Sequence, residues 1–133
     1  MDSGYENIKN DRFAKYLGIN LIEVKPGYAK VEMEITENHL NGIDIVQGGA
    51  IFTLADYAFA AASNMEHLTL GINANISYYK SPKGKKIMAE AKEISKQNKI
   101  CGYDIGVFDE NHEMIAQVSA MGFIKTAIPD VAS

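Results

Sequence analysis

Between Tyr28 and Thr36 apolar and polar residues alternate strictly, with Ala29, Val31, Met33 and Ile35 on one side and Lys30, Glu32 and Glu34 on the other. That period of two predicts a half-buried antiparallel strand. Ile19 to Lys25 reads as the strand before it, across a Pro26-Gly27 turn. Gly71 to Lys80 alternates again, setting Ile72, Ala74, Ile76 and Tyr78 against Asn73, Asn75, Ser77 and Tyr79. Met65 to Leu70 reads as a connector, and Ser81-Pro82-Lys83-Gly84 as a turn. Ile87 to Ser95, Ile100 to Phe108 and Met114 to Lys125 follow as strands joined by short turns, an antiparallel meander. In the last of them Met114, Ala116, Val118, Ala120, Gly122 and Ile124 form a small-residue face that lets another element approach closely. Tyr5 to Leu17 carries Ile8, Phe13, Tyr16 and Leu17 at helical spacing within an N-terminal helical segment, residues 1–18; residues 126–133 show no pattern and read as a frayed tail.

One stretch breaks the period of two. Val46 to Asn64 starts at Gly48-Gly49 and is apolar or small on every face, with Asp56 its single carboxylate. A helix without a polar face is ordinarily buried, so Asp56 is expected to be buried too. The alternative is a narrow wet stripe shared with Thr53 and Ser63. About five antiparallel strands and one such helix make an α+β domain in which a curved sheet must cover the helix, the description of a hotdog fold.

Composition narrows the reading. The chain has 133 residues, 47% of them hydrophobic, and a net charge of −4, which fits one soluble domain over 1–133 and gives no reason to expect nucleic acid. No stretch is long enough for a membrane span, and the polar first residues do not look like a leader, so the expected compartment is the cytoplasm. The single Cys101 excludes an intrachain disulfide and any cysteine-only metal site, and its strand position beside Tyr103 and Ile105 makes it a core residue. His39, His67 and His112 are never at metal-ligand spacing and read as surface loop residues, His39 drawing interest because it neighbours Asn41. No metal and no cofactor is expected.

The run Gly48-Gly49-Ala50-Ile51-Phe52-Thr53-Leu54-Ala55-Asp56, followed by Ala58-Phe59-Ala60, resembles the signature of hotdog-fold acyl-CoA thioesterases of the phenylacetic-acid-degradation (PaaI-like) type. Asn73-Ala74-Asn75-Ile76-Ser77-Tyr78 resembles that family's strand after the helix, and the likeness extends from about Phe13 to Ile124. It implies metal-free hydrolysis of an acyl-CoA, coenzyme A being part of the substrate, by a homodimer or dimer of dimers. Carried over by position, the catalytic carboxylate falls on Asp56, the carbonyl-polarising N–H on Gly48, and the usual asparagine on Asn41. Gly49, Gly71 and Asn73 are further candidate contacts for substrate or coenzyme A.

One position departs from that pattern: Gln47 stands where most such enzymes have histidine. A glutamine amide donates a hydrogen bond but cannot titrate. A thiol of pKa about 8.5 leaves without a strong acid, so a slower or differently tuned enzyme is expected, with a non-hydrolytic acyl-CoA binding or sensing module as the alternative. Asp56 would serve as general base or as nucleophile, with Gly48 N–H at the positive helix end stabilising the oxyanion. Seven of twelve lysines lie between Lys80 and Lys99. Lys83, Lys85 and Lys86 are candidate contacts for coenzyme A phosphates, or simply a solvated turn.

Distance adds a constraint. Gly48 and Asp56 are about 12 Å apart along a helix axis, too far to act on one carbonyl. Two copies with antiparallel helices would bring Gly48 of one beside Asp56 of the other, so shared active sites are expected.

Overall fold

The computed structural model describes residues 3–127. Its elements are α1 (Ser3–Lys9), α2 (Arg12–Leu17), β1 (Ile19–Lys25), β2 (Tyr28–Glu34), a 3-10 turn (Glu37–His39), α3 (Gly48–Ser63), β3 (His67–Tyr78), β4 (Lys86–Gln97), β5 (Ile100–Asp109) and β6 (Met114–Ala127). The strands form one antiparallel sheet in the order β1-β2-β4-β5-β6-β3, with α3 packed chiefly on β2 and β4. This is the expected hotdog arrangement, with six strands rather than about five.

Alternation maps onto the core. Ala29, Val31 and Met33 of β2, Ile87, Ala89 and Ala91 of β4, and Ile105 and Val107 of β5 are fully buried beneath α3. Cys101 and Tyr103 join them, the Tyr103 ring meeting Phe59 edge-on at 5.3 Å. The small-residue face of β6 serves close approach. A Cβ on Gly122 would stand 3.0 Å from Cys101 Sγ and 3.1 Å from the Phe59 ring, so only glycine fits there. Met114 departs from that face, being exposed.

Several expectations are corrected. The segment from Tyr5 to Leu17 is two helices, because Asp11 ends the first and caps the second, its Oδ1 accepting from Ala14 N at 2.9 Å. The expected connector Met65 to Leu70 is largely strand, since β3 begins at His67. Ser81–Gly84 is not a hydrogen-bonded turn. Pairing places β3 beside β6, so the chain must cross the end of the sheet to reach β4. That crossover is held by carboxylates: Lys83 N donates to Asp109 Oδ2 at 3.0 Å and Lys85 N to Glu110 Oε1 at 2.7 Å, with Gly84 at φ +91°. The meander expected over the last three strands holds, as β4, β5 and β6 pair antiparallel in succession. β6 continues to Ala127, two residues into the expected tail, and positions 128–133 lie outside the described residues.

The largest correction concerns coverage. The sheet buries one side of α3, where Leu54, Ala55, Ala58 and Ala61 are inaccessible. The stripe Gly49, Thr53, Asp56, Ala60 stays open or half-open, and Asp56 is exposed. The wet-stripe alternative holds for Thr53 and Asp56 and fails for Ser63, which is buried with its hydroxyl on Phe59 O at 2.8 Å. β3, at the sheet's edge, leaves Leu70, Ile72 and Tyr78 about half exposed.

Candidate active site

Gln47, Gly48 and Gly49 come together at the start of α3. Gln47 is the N-cap, and its Oε1 accepts from Gly49 N at 2.6 Å. That use of the oxygen leaves the amide NH2 as the part of Gln47 free to donate outward. Gly48 N has no partner among the described residues, while Gly48 O accepts from the Tyr78 hydroxyl at 3.0 Å. A Cβ on Gly48 would lie 3.0 Å from the Tyr78 ring, so this glycine combines strand packing with an uncovered N–H.

A groove of about 370 Å³ opens beside this helix start, walled by Phe13, Leu17, Leu40 and Ala50 and rimmed by Asn38, Gln47 and Thr53. His39 lines it but is not the expected surface residue. It is buried, its Nδ1 accepting from Thr36 N at 3.0 Å and its Nε2 donating to Leu17 O at 2.9 Å. Both ring nitrogens are thereby occupied, in the neutral tautomer. The signal in the sequence was Thr36 three residues before His39, a capping box with histidine in the usual Glu position.

Asn41 lies in the loop before the helix, and its side chain turns into that loop. Its Oδ1 accepts from Ile43 N at 2.9 Å and Ile45 N at 3.1 Å, while Asp44 N donates to Asn41 O at 3.0 Å. The turn requires Asp44 at φ 64° and presents Ile43 at its tip.

Asp56 is two turns further along α3, on the open stripe. No side chain or backbone donor reaches its carboxylate among the described residues. Although the group reaches solvent, the protein atoms crowded around it push its pKa above the ordinary carboxylate value, and the charge of Asp11 adds to the effect. Asp109 forms the contrast. It is fully buried, which alone would raise its pKa, but backbone N–H bonds from Lys83, Glu113 and Asn111 hold it below the usual range. Asp11 is a neighbour that sequence reasoning missed; its readable signal was helix capping rather than proximity to Asp56.

The remaining candidates are dispersed. Gly71 faces α3, where a Cβ would meet the Phe59 ring at 3.3 Å, and Asn73 follows a bulge on the exposed edge strand opposite Met121. Lys83 and Lys85 occupy the crossover, and Lys86 begins β4, at the end of the sheet that also holds Tyr78 and the α3 start. Lys86 Nζ is 3.6 Å from Glu32, whereas Lys83 and Lys85 have no ion pair among the described residues.

Comparison with known proteins identifies the family. Residues 44–116 match the family model described as Thioesterase superfamily. The chain is 44% identical over 110 residues to a putative esterase of Archaeoglobus fulgidus, covering 81% of this chain and 71% of that one. It is 34% identical over 110 residues to the acyl-coenzyme A thioesterase PaaI of Escherichia coli, covering 81% and 79%. Among solved structures, the E. coli PaaI protein from the phenylacetic acid degradation operon superposes with a TM-score of 0.86 at 26% identity, covering 92% of this chain and 91% of that one.

Proposed function

The chain belongs to the thioesterase superfamily, and on that premise we propose that it hydrolyses an acyl-CoA thioester to free acid and coenzyme A, with Asp56 and the α3 start as the reacting elements. The observation that carries this reading is the open stripe of α3. An otherwise apolar helix exposes one carboxylate that no donor reaches among the described residues, and eight residues earlier it offers a backbone N–H with no partner among them.

In the chemistry proposed, Gly48 N–H and the Gln47 NH2 donate to the thioester oxygen, aided by the positive helix end. Acting as base, Asp56 takes a proton from a water whose oxygen bonds to the carbonyl carbon. The tetrahedral intermediate then collapses, the C–S bond breaks and the thiolate departs. A raised pKa makes Asp56 a stronger base than an ordinary carboxylate. Acting as nucleophile, it would form an anhydride that water opens; the same residues serve both routes. Lys83 and Lys85, without an ion pair among the described residues and at the same end of the sheet as the α3 start, are proposed to meet coenzyme A phosphates, with Lys86 weakened for that role by Glu32.

Gly48 and Asp56 cannot serve one carbonyl within one helix, so the site is proposed to be shared by two chains related by a two-fold axis. The half-exposed Leu70, Ile72 and Tyr78 on the β3 edge and the open α3 stripe support that assembly, since a solitary chain would leave both in water.

The test is release of coenzyme A thiol across a panel of acyl-CoAs. Turnover of at least one substrate that is lost in Asp56→Asn supports the reading. Tight acyl-CoA binding with no thiol released supports the binding module instead.

A further inference from the structure

Two apolar features, among several exposed ones, have no apolar partner among the described residues. Ile43, at the tip of the loop between Asn41 and Asp44, is 73% exposed. It is not loosely exposed, because the Asn41 carboxamide oxygen holds the backbone on both sides of it and a Leu40–Val46 bridge closes the loop. The second feature is a groove of about 280 Å³ between α1, the later half of α3 and the start of β3. Ile8, Tyr57, Ala60 and Leu68 supply its apolar walls. The groove is firm, since the Tyr57 hydroxyl ties α3 to α1 through Ile8 O at 2.9 Å.

The pairing of Gly48 with Asp56 relates the two. A two-fold axis that sets these residues opposite each other places Ala60, four residues past Asp56, about 6 Å beyond the first turn of the facing helix. The chain immediately before that turn is the loop that carries Ile43. The groove also continues the open stripe of α3 and the β3 edge through Ala60 and Leu68, so one contact surface runs through all three.

We propose that Ile43 of one copy docks into the Ile8–Tyr57–Ala60–Leu68 groove of a second copy and closes the active site over Asp56. Asn41 then acts as a positioning residue that aims the loop, which accounts for a side chain turned inward. Asp56 lies one helical turn from Ala60, so the docked isoleucine excludes bulk water from one side of the carboxylate. Each docking event occurs twice per dimer, which doubles the effect of losing it.

This inference rests on the shared-site reading, and the experiment separates the two. Ile43→Ser should raise the dimer dissociation constant roughly a hundredfold or more, read by sedimentation across a dilution series, with activity lost on dilution and only partly recovered at high concentration. Ile43→Leu should stay within roughly threefold of the parent. In parallel, mild oxidation of a chain carrying both Ile43→Cys and Ala60→Cys should yield a covalent dimer on a non-reducing gel, and neither single variant should; the native Cys101 is buried and out of reach. An active dimer that gives no cross-link, and whose dissociation is unchanged by Ile43→Ser, overturns the docking and leaves the shared site standing. An active monomer overturns both.

Discussion

Strands β3 and β4 are both twelve residues long and both carry alternating apolar positions, yet they fare differently. In β4, Ile87, Ala89 and Ala91 are inaccessible beneath α3; in β3, Leu70 and Ile72 stay 48% and 54% exposed. The helix repeats the division, with Leu54, Ala55 and Ala58 closed off and Gly49, Asp56 and Ala60 open or half-open. The closed half satisfies itself. The open half holds exposed apolar surface together with the carboxylate and helix start that the proposed chemistry uses. On that proposal, stability and function are concentrated on opposite sides of one helix.

The largest expected effects lie on the closed side. Leu54→Ala should cost about 2–5 kcal/mol, measured by denaturant unfolding, because it leaves a cavity under the sheet. Ile72→Ser on the open edge should instead lower stability in proportion to lost pairing, so its Tm should rise with protein concentration more steeply than the parent's. Equal, concentration-independent losses at both positions would erase the distinction.

Next in size is the carboxylate on the open stripe. Asp56→Asn should lower kcat/KM roughly a hundredfold or more, without loss of stability. The sign follows from the raised pKa. An acid whose pKa is higher in the folded state costs stability when ionised, and that cost vanishes as pH falls below its unfolded-state value. Asn removes the cost, so the variant should match or exceed the parent's Tm at neutral pH. In the parent, the acid limb of the pH–rate profile should fall above the ordinary carboxylate range. A limb at or below that range would separate the carboxylate of the mechanism from Asp56.

Asp109 should behave oppositely. Its lowered pKa means that it contributes stability above the unfolded-state value, lost as pH falls through the folded one. Asp109→Asn should cost about 1–3 kcal/mol near neutrality, since an amide replaces a carboxylate held by three backbone N–H groups, and should flatten acid unfolding. Smallest is Gln47. Gln47→Leu should lower kcat by roughly tenfold through the loss of one donor to the oxyanion, while Gln47→His should retain or raise it. Identical rates for all three side chains would remove Gln47 from the reaction.

The closed half was legible in sequence because period-two alternation at Ala29, Val31 and Met33 states which side faces the core. Strand neighbours were not legible. The pattern of Gly71 to Lys80 reads the same whether that strand is central or at an edge, and nothing in it announces pairing with β6. The burial expected for Asp56 was wrong: it was inferred from a helix with no polar face and assumed that the sheet covers every side of it, whereas the sheet covers one side and leaves Asp56 exposed. His39 was misplaced because its capping box with Thr36 has histidine where Glu or Gln usually stands, so the pattern was passed over as a polar loop. The clustering of Gln47, Gly48 and Gly49 was readable, since contiguous residues at a helix start need no tertiary information to meet.

Mixed dimers test the shared site most directly. Gly48→Pro removes the N–H proposed to bind the oxyanion. Proline is suited to the first position of a helix, the preceding Gln47 already has extended backbone at ψ 139°, and the half-exposed Tyr78 ring has room to shift. Asp56→Ala removes the carboxylate. Each variant alone should be inactive in thiol release, and an equimolar co-refolded mixture should recover roughly a quarter of parental activity, because half of the dimers carry one site free of both defects. No recovery from dimers shown to be mixed would contradict the shared site.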